Sequence, residues 1–423
     1  MPLIDLETVI EIKDPLRGYI CLTALESSIL DLRVSQRLRN IRWPSGVYKV
    51  YPGADTSLMG HMLGFVEMTH SMFNHLRVDA ETVERARLTA MLLAVSRGAW
   101  GNVMEEYLHN GGADRFDIAE LVIRWSAVAD IISDSTFSVD EVVSFVRRGI
   151  PTKTIRINLS EVPVNPELMD SLERDAYFAG VDYANIEYNK LYGSLAIAKN
   201  MLVISRSARY TLESYLSAGA NMFEAVYYHK TVRAAELMLL RVLQLAGSEL
   251  FPFPTKDPTP YLVCDDFTFH HRLLNVDKGA SEELRLAGKI FDAFRRRDLI
   301  KVASVRTLSD TRFLSRLSDP VGRAEVEREI AEDTGIDPVR VYVDFPDRPS
   351  VTFYPGRYPL DQLAMFERGS RGYEFWRVED VSRIAQSLSS PMRTIRVYTT
   401  RGYRARVKKV ADTLLESFDV SGS

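Results

Sequence analysis

A chain of 423 residues with 46% hydrophobic and 26% charged residues has enough apolar material for two or three folded domains and too much for general disorder. Its formal net charge of −4 supplies no broad positive field, so nucleic acid is not an expected partner. Cys21 and Cys264 are the only cysteines, which excludes a disulfide scaffold and favours a reducing, cytoplasmic setting. The first residues lack the features of a signal peptide, and no apolar run is long enough to predict a membrane span.

The spacing of apolar residues predicts helices over about residues 23–250. In residues 88–95, for example, apolar side chains recur three and four positions apart, which is the spacing of one helix face. Ser138 and Glu141 have the form of a capping box, and Gly149 is suited to end the helix that they begin. The sequence therefore predicts a mainly α-helical protein.

The C-terminal residues carry a different pattern. After about residue 335, the runs VRVYVDFP and TIRVYTT combine β-branched and aromatic residues between turn-forming residues, which is typical of short strands. The expected organisation is a helical domain over 1–250, a helical extension over 251–334 and a small α+β module over 335–423.

Three blocks of the sequence resemble the signature motifs of one enzyme family. Residues 14–64 contain DPLRGYI, QRLR, YKVYPGA and HMLG in that order, residues 167–181 read ELMDSLERDAYFAGV, and residues 220–236 read ANMFEAVYYHKTVRAAE. The blocks resemble those of the HD-domain phosphohydrolases of the deoxynucleotide triphosphohydrolase type. The resemblance implies an HD-type helical fold with a small α+β C-terminal module, and it implies a homo-oligomer.

The metal ligands of that family are mostly missing. The family holds a divalent metal with two histidines and two aspartates, and the metal activates a water molecule. The resemblance places the first histidine at His61 and the last acid at Glu167. The His-Asp doublet itself falls on Leu93 and Ala94, or on Ala94 and Val95 in the neighbouring register. Because neither register supplies a ligand atom, we expect no metal and no other cofactor. His61 would then bond internally, and Glu167 would interact with a helix dipole.

Other positions that carry catalysis in the family also differ. The family histidines after the doublet correspond to Arg97 and Asn102, neither of which is a general acid near neutral pH. Two phosphate-binding arginines correspond to Leu58 and Gly219. Trp43 stands where the family has a polar residue beside the substrate sugar, and we expect it to fill space.

Charged and aromatic residues outside the missing metal centre still match the family. Asp31, Gln36 and Arg39 occupy positions that bind a regulatory guanine nucleotide in nucleotide-activated members, and Tyr227 and Lys230 occupy a block near nucleotide or subunit contacts. We therefore predict that Arg39, Tyr227 and Lys230 lie at a subunit interface or an anion-binding cleft. The alternative is that each pairs within its own subunit, with Asp31 as the candidate partner of Arg39.

These observations favour a catalytically degenerate HD-domain protein that senses a nucleotide or anion, or that associates with itself; whether it is an enzyme stays open. The alternative is a metal-dependent phosphohydrolase acting on deoxynucleoside triphosphates, with a divalent metal on His61 and Glu167. A third possibility is a nucleic-acid-binding derivative that uses the basic cluster of Arg295, Arg296 and Arg297, which could equally be a solvated helix end.

Overall fold

The computed structural model describes residues 6–250, 257–277, 279–308, 310–345, 363–369, 372–388 and 394–419. This part of the chain is mainly α-helical with a few small sheets and a small α+β module near its C-terminal end, so the predicted fold class is confirmed. No helix of the described residues is both long and apolar enough to cross a membrane.

The first elements are an antiparallel hairpin and the helices that hold the candidate site. They are β1 (Ile10–Asp14), β2 (Gly18–Leu22), α1 (Ala24–Asp31), α2 (Arg33–Gln36), α3 (Leu58–His75), α4 (Ala80–Val95), α5 (Gly101–Asn110), α6 (Arg115–Trp125), α7 (Ala127–Ser133) and α8 (Val139–Arg148). Short 3₁₀ turns cover Arg37–Asn40 and Val47–Lys49.

The middle of the chain continues the helical domain. It contains β3 (Ile150–Pro151), β4 (Arg156–Ile157), α9 (Pro166–Ala179), α10 (Tyr188–Gly193), β5 (Leu195–Ala198), β6 (Met201–Ser205), α11 (Arg209–Met222) and α12 (Lys230–Leu250), with a 3₁₀ turn at Arg206–Ala208 and a π-helical segment at Phe223–Tyr227. After it come α13 (Thr259–Leu262), α14 (Asp266–Leu274) and α15 (Glu282–Arg295).

The last elements form the C-terminal part. They are β7 (Lys301–Thr307), α16 (Thr311–Ser318), α17 (Pro320–Thr334), β8 (Val341–Asp344), β9 (Ala364–Gly369), β10 (Gly372–Arg377), α18 (Val378–Val381), α19 (Arg383–Leu388), β11 (Thr394–Thr399) and α20 (Arg404–Asp419), with 3₁₀ turns at Pro338–Arg340 and Arg401–Tyr403.

Local sequence signals explain where α8 begins and ends. The Ser138 side chain accepts a hydrogen bond from the Glu141 amide, and the Glu141 side chain accepts one from the Ser138 amide, so the predicted capping box is present. The helix stops before Gly149, whose φ of +80° is unfavourable for residues with a Cβ. A Cβ at this position would also collide with the backbone of Ile157.

Two hydrophobic cores organise these elements. The larger one extends through the helical domain and is built around α3, which packs against both α4 and α9. The smaller one begins at Ala303 and lies between α17 and α20 on one side and the antiparallel sheet β7-β11-β8 on the other. The second core therefore includes β7 and α17, which precede residue 335; the domain boundaries stay a prediction.

The hairpin β9–β10 joins the two halves of the chain. Strand β9 pairs in parallel with β6, with Val203 opposite Ala364, and the resulting sheet has the order β10-β9-β6-β5. A buried ionic cluster makes a second link. Arg233 of α12 donates to Asp344 of β8 at 2.9 Å and to Glu236 at 2.8 Å. The C-terminal part is thus held to the helical domain by both backbone pairing and charge.

Candidate functional site

The site is centred on His61, which α3 places in the interior. The imidazole ring of His61 stacks in parallel on the Trp43 ring, with centroids 5.2 Å apart. It also stacks on the Phe65 ring, with a centroid distance of 6.4 Å. Its Nδ1 is 3.0 Å from Asp170 Oδ2, and its Nε2 is 3.9 Å from Glu167 Oε1. Burial alone would lower the pKa of His61, but the hydrogen bond to Asp170 and the nearby Glu167 carboxylate outweigh burial and raise the pKa.

Two arginines neutralise Glu167. This residue lies in the first turn of α9, where Pro166 is the first helical residue and the Asn165 side chain caps the helix. Its Oε1 accepts a hydrogen bond from Arg97, and its Oε2 accepts one from Arg115 at 3.0 Å. Burial alone would raise the pKa of Glu167, but attraction by Arg115 and Arg97 lowers it well below the usual range. The carboxylate is therefore ionised and already paired at both oxygens.

Arg97 connects the aromatic and ionic parts of the site. Its guanidinium lies over the Trp43 ring, 4.0 Å from the centroid, which is a favourable cation–π position. Its Nε is 3.2 Å from Glu105 Oε1, and its backbone carbonyl accepts a hydrogen bond from Arg37. The resemblance matches this position to a family histidine, and in the structure the Arg97 guanidinium lies here.

A second pair of arginines holds Asp170. Arg174, one turn later on α9, donates to both oxygens of Asp170 at 2.9 and 3.0 Å, and Arg17 donates to Oδ1 at 3.1 Å. Arg174 also bonds Asp14, at the end of β1, at 2.9 Å. Although burial opposes ionisation, these two arginines lower the pKa of Asp170 far below its usual range. The helices α3 and α9 can approach here because Gly64 has no Cβ to collide with the Asp170 carboxylate.

Tyr227 and Asp175 form a separate buried pair. The Tyr227 hydroxyl, at the end of the π-helical segment, donates to Asp175 Oδ2 at 2.6 Å. Burial is the main cause that raises the pKa of Asp175 to about 7. The side chain of Tyr227 is buried, and its bond is to an acid of the same chain.

The positions of the family doublet lie in apolar surroundings. Leu93 and Ala94 are buried near the end of α4. Asn102, on α5, links α12 to the segment before α3. Its side chain donates a hydrogen bond to Glu236 Oε1 at 2.7 Å and accepts one from the Ser45 amide at 2.8 Å. Within the described ranges, no group of three or more His, Cys, Asp or Glu side chains is arranged to hold a metal ion.

The remaining sequence-predicted ligand residues lie at the surface. Asp31, Arg39 and Lys230 are exposed, and Gln36 is half-buried. Gln36 donates to the Leu30 carbonyl at 2.8 Å and accepts from Arg39 Nε at 2.9 Å. The structure thus brings Gln36 and Arg39 together, and their role in ligand binding stays a prediction.

The sequence interpretation missed most of the partners in this site. One signal was present. The resemblance matches Glu167 to a metal ligand and Arg97 to a histidine of the same site, so an acid and a base of opposite charge could be expected to lie close together. No comparable signal pointed to Arg115, Arg17 or the stacking of Trp43 on His61. These contacts join residues more than fifty positions apart, except for the Trp43–His61 pair.

Comparisons with known proteins agree with this fold. The model of the family described as HD associated region matches residues 186–419. The uncharacterized protein YwfO of Bacillus subtilis (strain 168) is 26% identical over 251 residues, which is 55% of each chain. The deoxynucleoside triphosphate triphosphohydrolase SAMHD1 homolog of Dictyostelium discoideum is 20% identical over 310 residues, covering 69% of this chain and 59% of that protein. The chain thus spans little more than half the length of these curated relatives.

A solved structure shows the same fold over almost the whole chain. The crystal structure of a hypothetical protein from Aquifex aeolicus superposes with a TM-score of 0.71 at 21% identity, covering 95% of this chain and 99% of that one. The family match extends over more than half of the 423 residues. The chain belongs to the HD associated region family and, with it, to the HD-domain superfamily.

Proposed function

We propose that this chain is a catalytically degenerate HD-domain protein in which paired arginines replace the divalent metal centre. The observation that carries the proposal is the pairing of Glu167 with Arg97 and Arg115, both of which reach the carboxylate in the interior. The remaining remnant of the metal motif, His61, bonds Asp170, whose charge is balanced by Arg174 and Arg17.

Electrostatics opposes metal binding in this arrangement. Charges of +1 and +2 about 4 Å apart repel each other by roughly 8 kcal/mol at an effective dielectric constant of 20. A divalent ion would also have to compete with two guanidinium groups for the carboxylate of Glu167. Leu93 and Ala94 supply no oxygen or nitrogen atom to compensate. Without the metal, the site lacks the ion that activates water for phosphoester hydrolysis in HD enzymes.

The same proposal assigns the retained fold to nucleotide or anion sensing, or to homo-oligomeric association. Arg39 is an exposed cation whose orientation is fixed by its bond to Gln36, and Asp31 and Lys230 are exposed as well. A guanidinium held in this way can bind phosphate or a carboxylate of a partner without any metal. Tyr227 supports this role less directly, because its hydroxyl is committed to Asp175.

The second candidate is a metal-dependent phosphohydrolase acting on deoxynucleoside triphosphates. The name of the Dictyostelium relative favours it, and His61 and Glu167 do lie 3.9 Å apart. In this candidate they would hold the divalent ion, which would polarise the phosphate and activate water. Arg97 would have to withdraw from Glu167 for the ion to bind.

Hydrolysis of the four deoxynucleoside triphosphates in the presence of Mn²⁺ separates the two candidates. We expect the wild type to release no more phosphate or triphosphate than the variant His61→Ala. Turnover by the wild type that disappears in His61→Ala would contradict the proposal and establish the hydrolase.

The sensing role has its own test. We expect guanine nucleotides to raise the melting temperature of the wild type in a saturable manner and to lose this effect in Arg39→Ala. The control is Arg33→Ala, since Arg33 is an exposed arginine six positions earlier. Equal stabilisation of the wild type and Arg39→Ala would contradict the assignment of Arg39.

A further inference from the structure

We infer that a cleft in the C-terminal module is a second binding site, suited to a small phosphate ester that carries hydroxyl groups. The cleft has a volume of about 560 Å³ and lies between the end of α17 and one face of α20, a size suited to a small molecule. Its lining consists of Asp333 and Thr334 from α17, and Arg406, Lys409, Val410, Thr413 and Leu414 from α20. The spacing of the α20 residues is that of a single helix face, so their side chains converge on one ligand-sized space.

The charges in the cleft favour an anion. Arg406 is fixed against the cleft wall by a hydrogen bond to the Thr334 carbonyl, which uses only one of its five N–H groups. Lys409 is exposed, and the described part of the chain offers it no carboxylate within ion-pair distance. Asp333 is the only acid in the lining. A phosphate monoester, with a charge of about −1.5 to −2, would complement the net positive charge.

Lys408 and Lys409 are neighbours on α20 but have different surroundings. Lys408 forms an ion pair with Asp412, one turn later on the same helix, and lies outside the cleft lining. Lys409, by contrast, faces the cleft. One lysine is therefore neutralised within the helix, while its neighbour is available to a ligand.

The location of these cations on α20 is a further indication. Positive side chains are unfavourable near the N-terminus of a helix, because the macrodipole is positive there. Arg404, Arg406 and Lys409 nevertheless lie in the first six residues of α20, and its first turn contains no acid. Arg340 adds a positive charge nearby, stacked 5.5 Å from the centroid of the Tyr403 ring. A bound anion would relieve this accumulation of charge.

The other lining groups define the rest of the ligand. The hydroxyls of Thr334 and Thr413 donate to carbonyls of their own helices, so toward a ligand they act as acceptors. They and the carboxylate of Asp333 can accept hydrogen bonds from sugar hydroxyls, while Val410 and Leu414 provide apolar contact. A phosphorylated sugar and a nucleoside monophosphate share this chemistry. The inference goes beyond the proposed function, because the cleft contains none of the residues of the HD site or of the Arg39 surface.

Isothermal titration calorimetry of the full chain tests the inference with three probes: adenosine 5′-monophosphate, ribose 5-phosphate and adenosine. We expect the phosphate esters to bind with dissociation constants below about 1 mM, and adenosine not to bind. Binding of ribose 5-phosphate as tight as that of the nucleotide identifies the sugar phosphate as the ligand class. Binding of the nucleotide alone shows that the base is also recognised.

Matched variants locate the site. We expect Lys409→Gln to weaken phosphate-ester binding by about tenfold or more, and Thr413→Val to weaken it as well. Lys408→Gln, which makes the same charge change one residue away, should leave it unchanged within about twofold. Because Lys409 is exposed, its substitution should leave the fold intact. Equal melting temperatures of the wild type and the two lysine variants would verify this.

Three results would overturn the inference. The first is that neither phosphate ester binds at about 5 mM. The second is equal weakening by Lys408→Gln and Lys409→Gln, which would indicate nonspecific attraction by α20. The third is loss of binding in Arg39→Ala with full binding in Lys409→Gln, which would place the ligand on the other surface while leaving the proposed sensing role of Arg39 standing.

Discussion

Replacing Glu167 with Gln tests whether the ionic cluster is structural. The substitution keeps the shape of the side chain and removes its charge, which leaves Arg97 and Arg115 without their common partner. The side chains of Glu167 and Arg97 are 0% and 2% exposed, so water cannot replace the lost carboxylate. Removal of one member of a buried ion pair typically costs about 3–5 kcal/mol, and we expect the free energy of unfolding to fall by about this amount at pH 7.5.

The loss should depend on pH with a defined sign. Although burial opposes ionisation of Glu167, Arg115 and Arg97 lower its pKa well below 4.5 in the folded protein. Its contribution to stability is therefore present above the unfolded pKa and is lost as the pH falls toward the folded pKa. The difference in unfolding free energy between the wild type and Glu167→Gln should therefore be largest at pH 7.5 and should become smaller at acidic pH.

Urea denaturation followed by tryptophan fluorescence measures this difference. Glu105→Gln is the matched control, because Glu105 also faces Arg97 but its side chain is 26% exposed. We expect the control to cost less than about 1 kcal/mol. If Glu167 instead belonged to a metal site, removing its charge would stabilise the metal-free protein, and a rise in unfolding free energy for Glu167→Gln would refute the reasoning.

Two further substitutions test buried charges elsewhere. Burial raises the pKa of Asp175 to about 7 from 3.8, so the folded protein holds its proton more tightly and stability falls as the pH rises between these values. We therefore expect Asp175→Asn to be more stable than the wild type by about 4 kcal/mol at pH 8 and to show little difference at pH 4; equal stability at pH 8 would show that folding does not raise the pKa of Asp175. We expect Arg233→Met to cost about 3–5 kcal/mol, because it removes the cation that Asp344, Glu236 and Glu106 share in the interior. We also expect it to speed amide exchange in β8. Arg241→Met, which loses one ion pair with Glu327 and its contacts with Val341 and Tyr342, should cost less. Unchanged exchange of β8 in Arg233→Met would show that this cluster does not hold the C-terminal module.

The elements that the sequence predicted well are those encoded locally. The capping box of α8 is formed by two residues three positions apart, and the apolar spacing in residues 88–95 lies within α4. Such patterns involve residues only a few positions apart, so they can be recognised without any distant contact. The strand runs VRVYVDFP and TIRVYTT were likewise recognisable, since they contain β8 and β11.

What the sequence could not provide are contacts between distant residues. Strand β6 pairs with β9 after more than 150 intervening residues. Glu167 bonds Arg115, the first residue of α6, which belongs to none of the motifs recognised in the sequence. The resemblance matches Arg97 to a histidine, which predicts a loss of acid catalysis but not the partner of its guanidinium. Its contact with Glu167 depends on how α4 and α9 are placed around α3, which local spacing does not encode.

Metal content tests the central proposal most directly. The purified protein would be incubated with Mn²⁺, Fe²⁺ and Zn²⁺ in turn, freed of unbound ions and analysed by mass spectrometry, and crystals from the same samples would be measured for anomalous scattering at His61. We expect less than about 0.1 ion per chain and no anomalous peak, because guanidinium groups occupy the carboxylate that a metal would need. About one ion per chain, bonded to His61 at roughly 2.0–2.3 Å, would contradict the replacement of the metal centre by arginines.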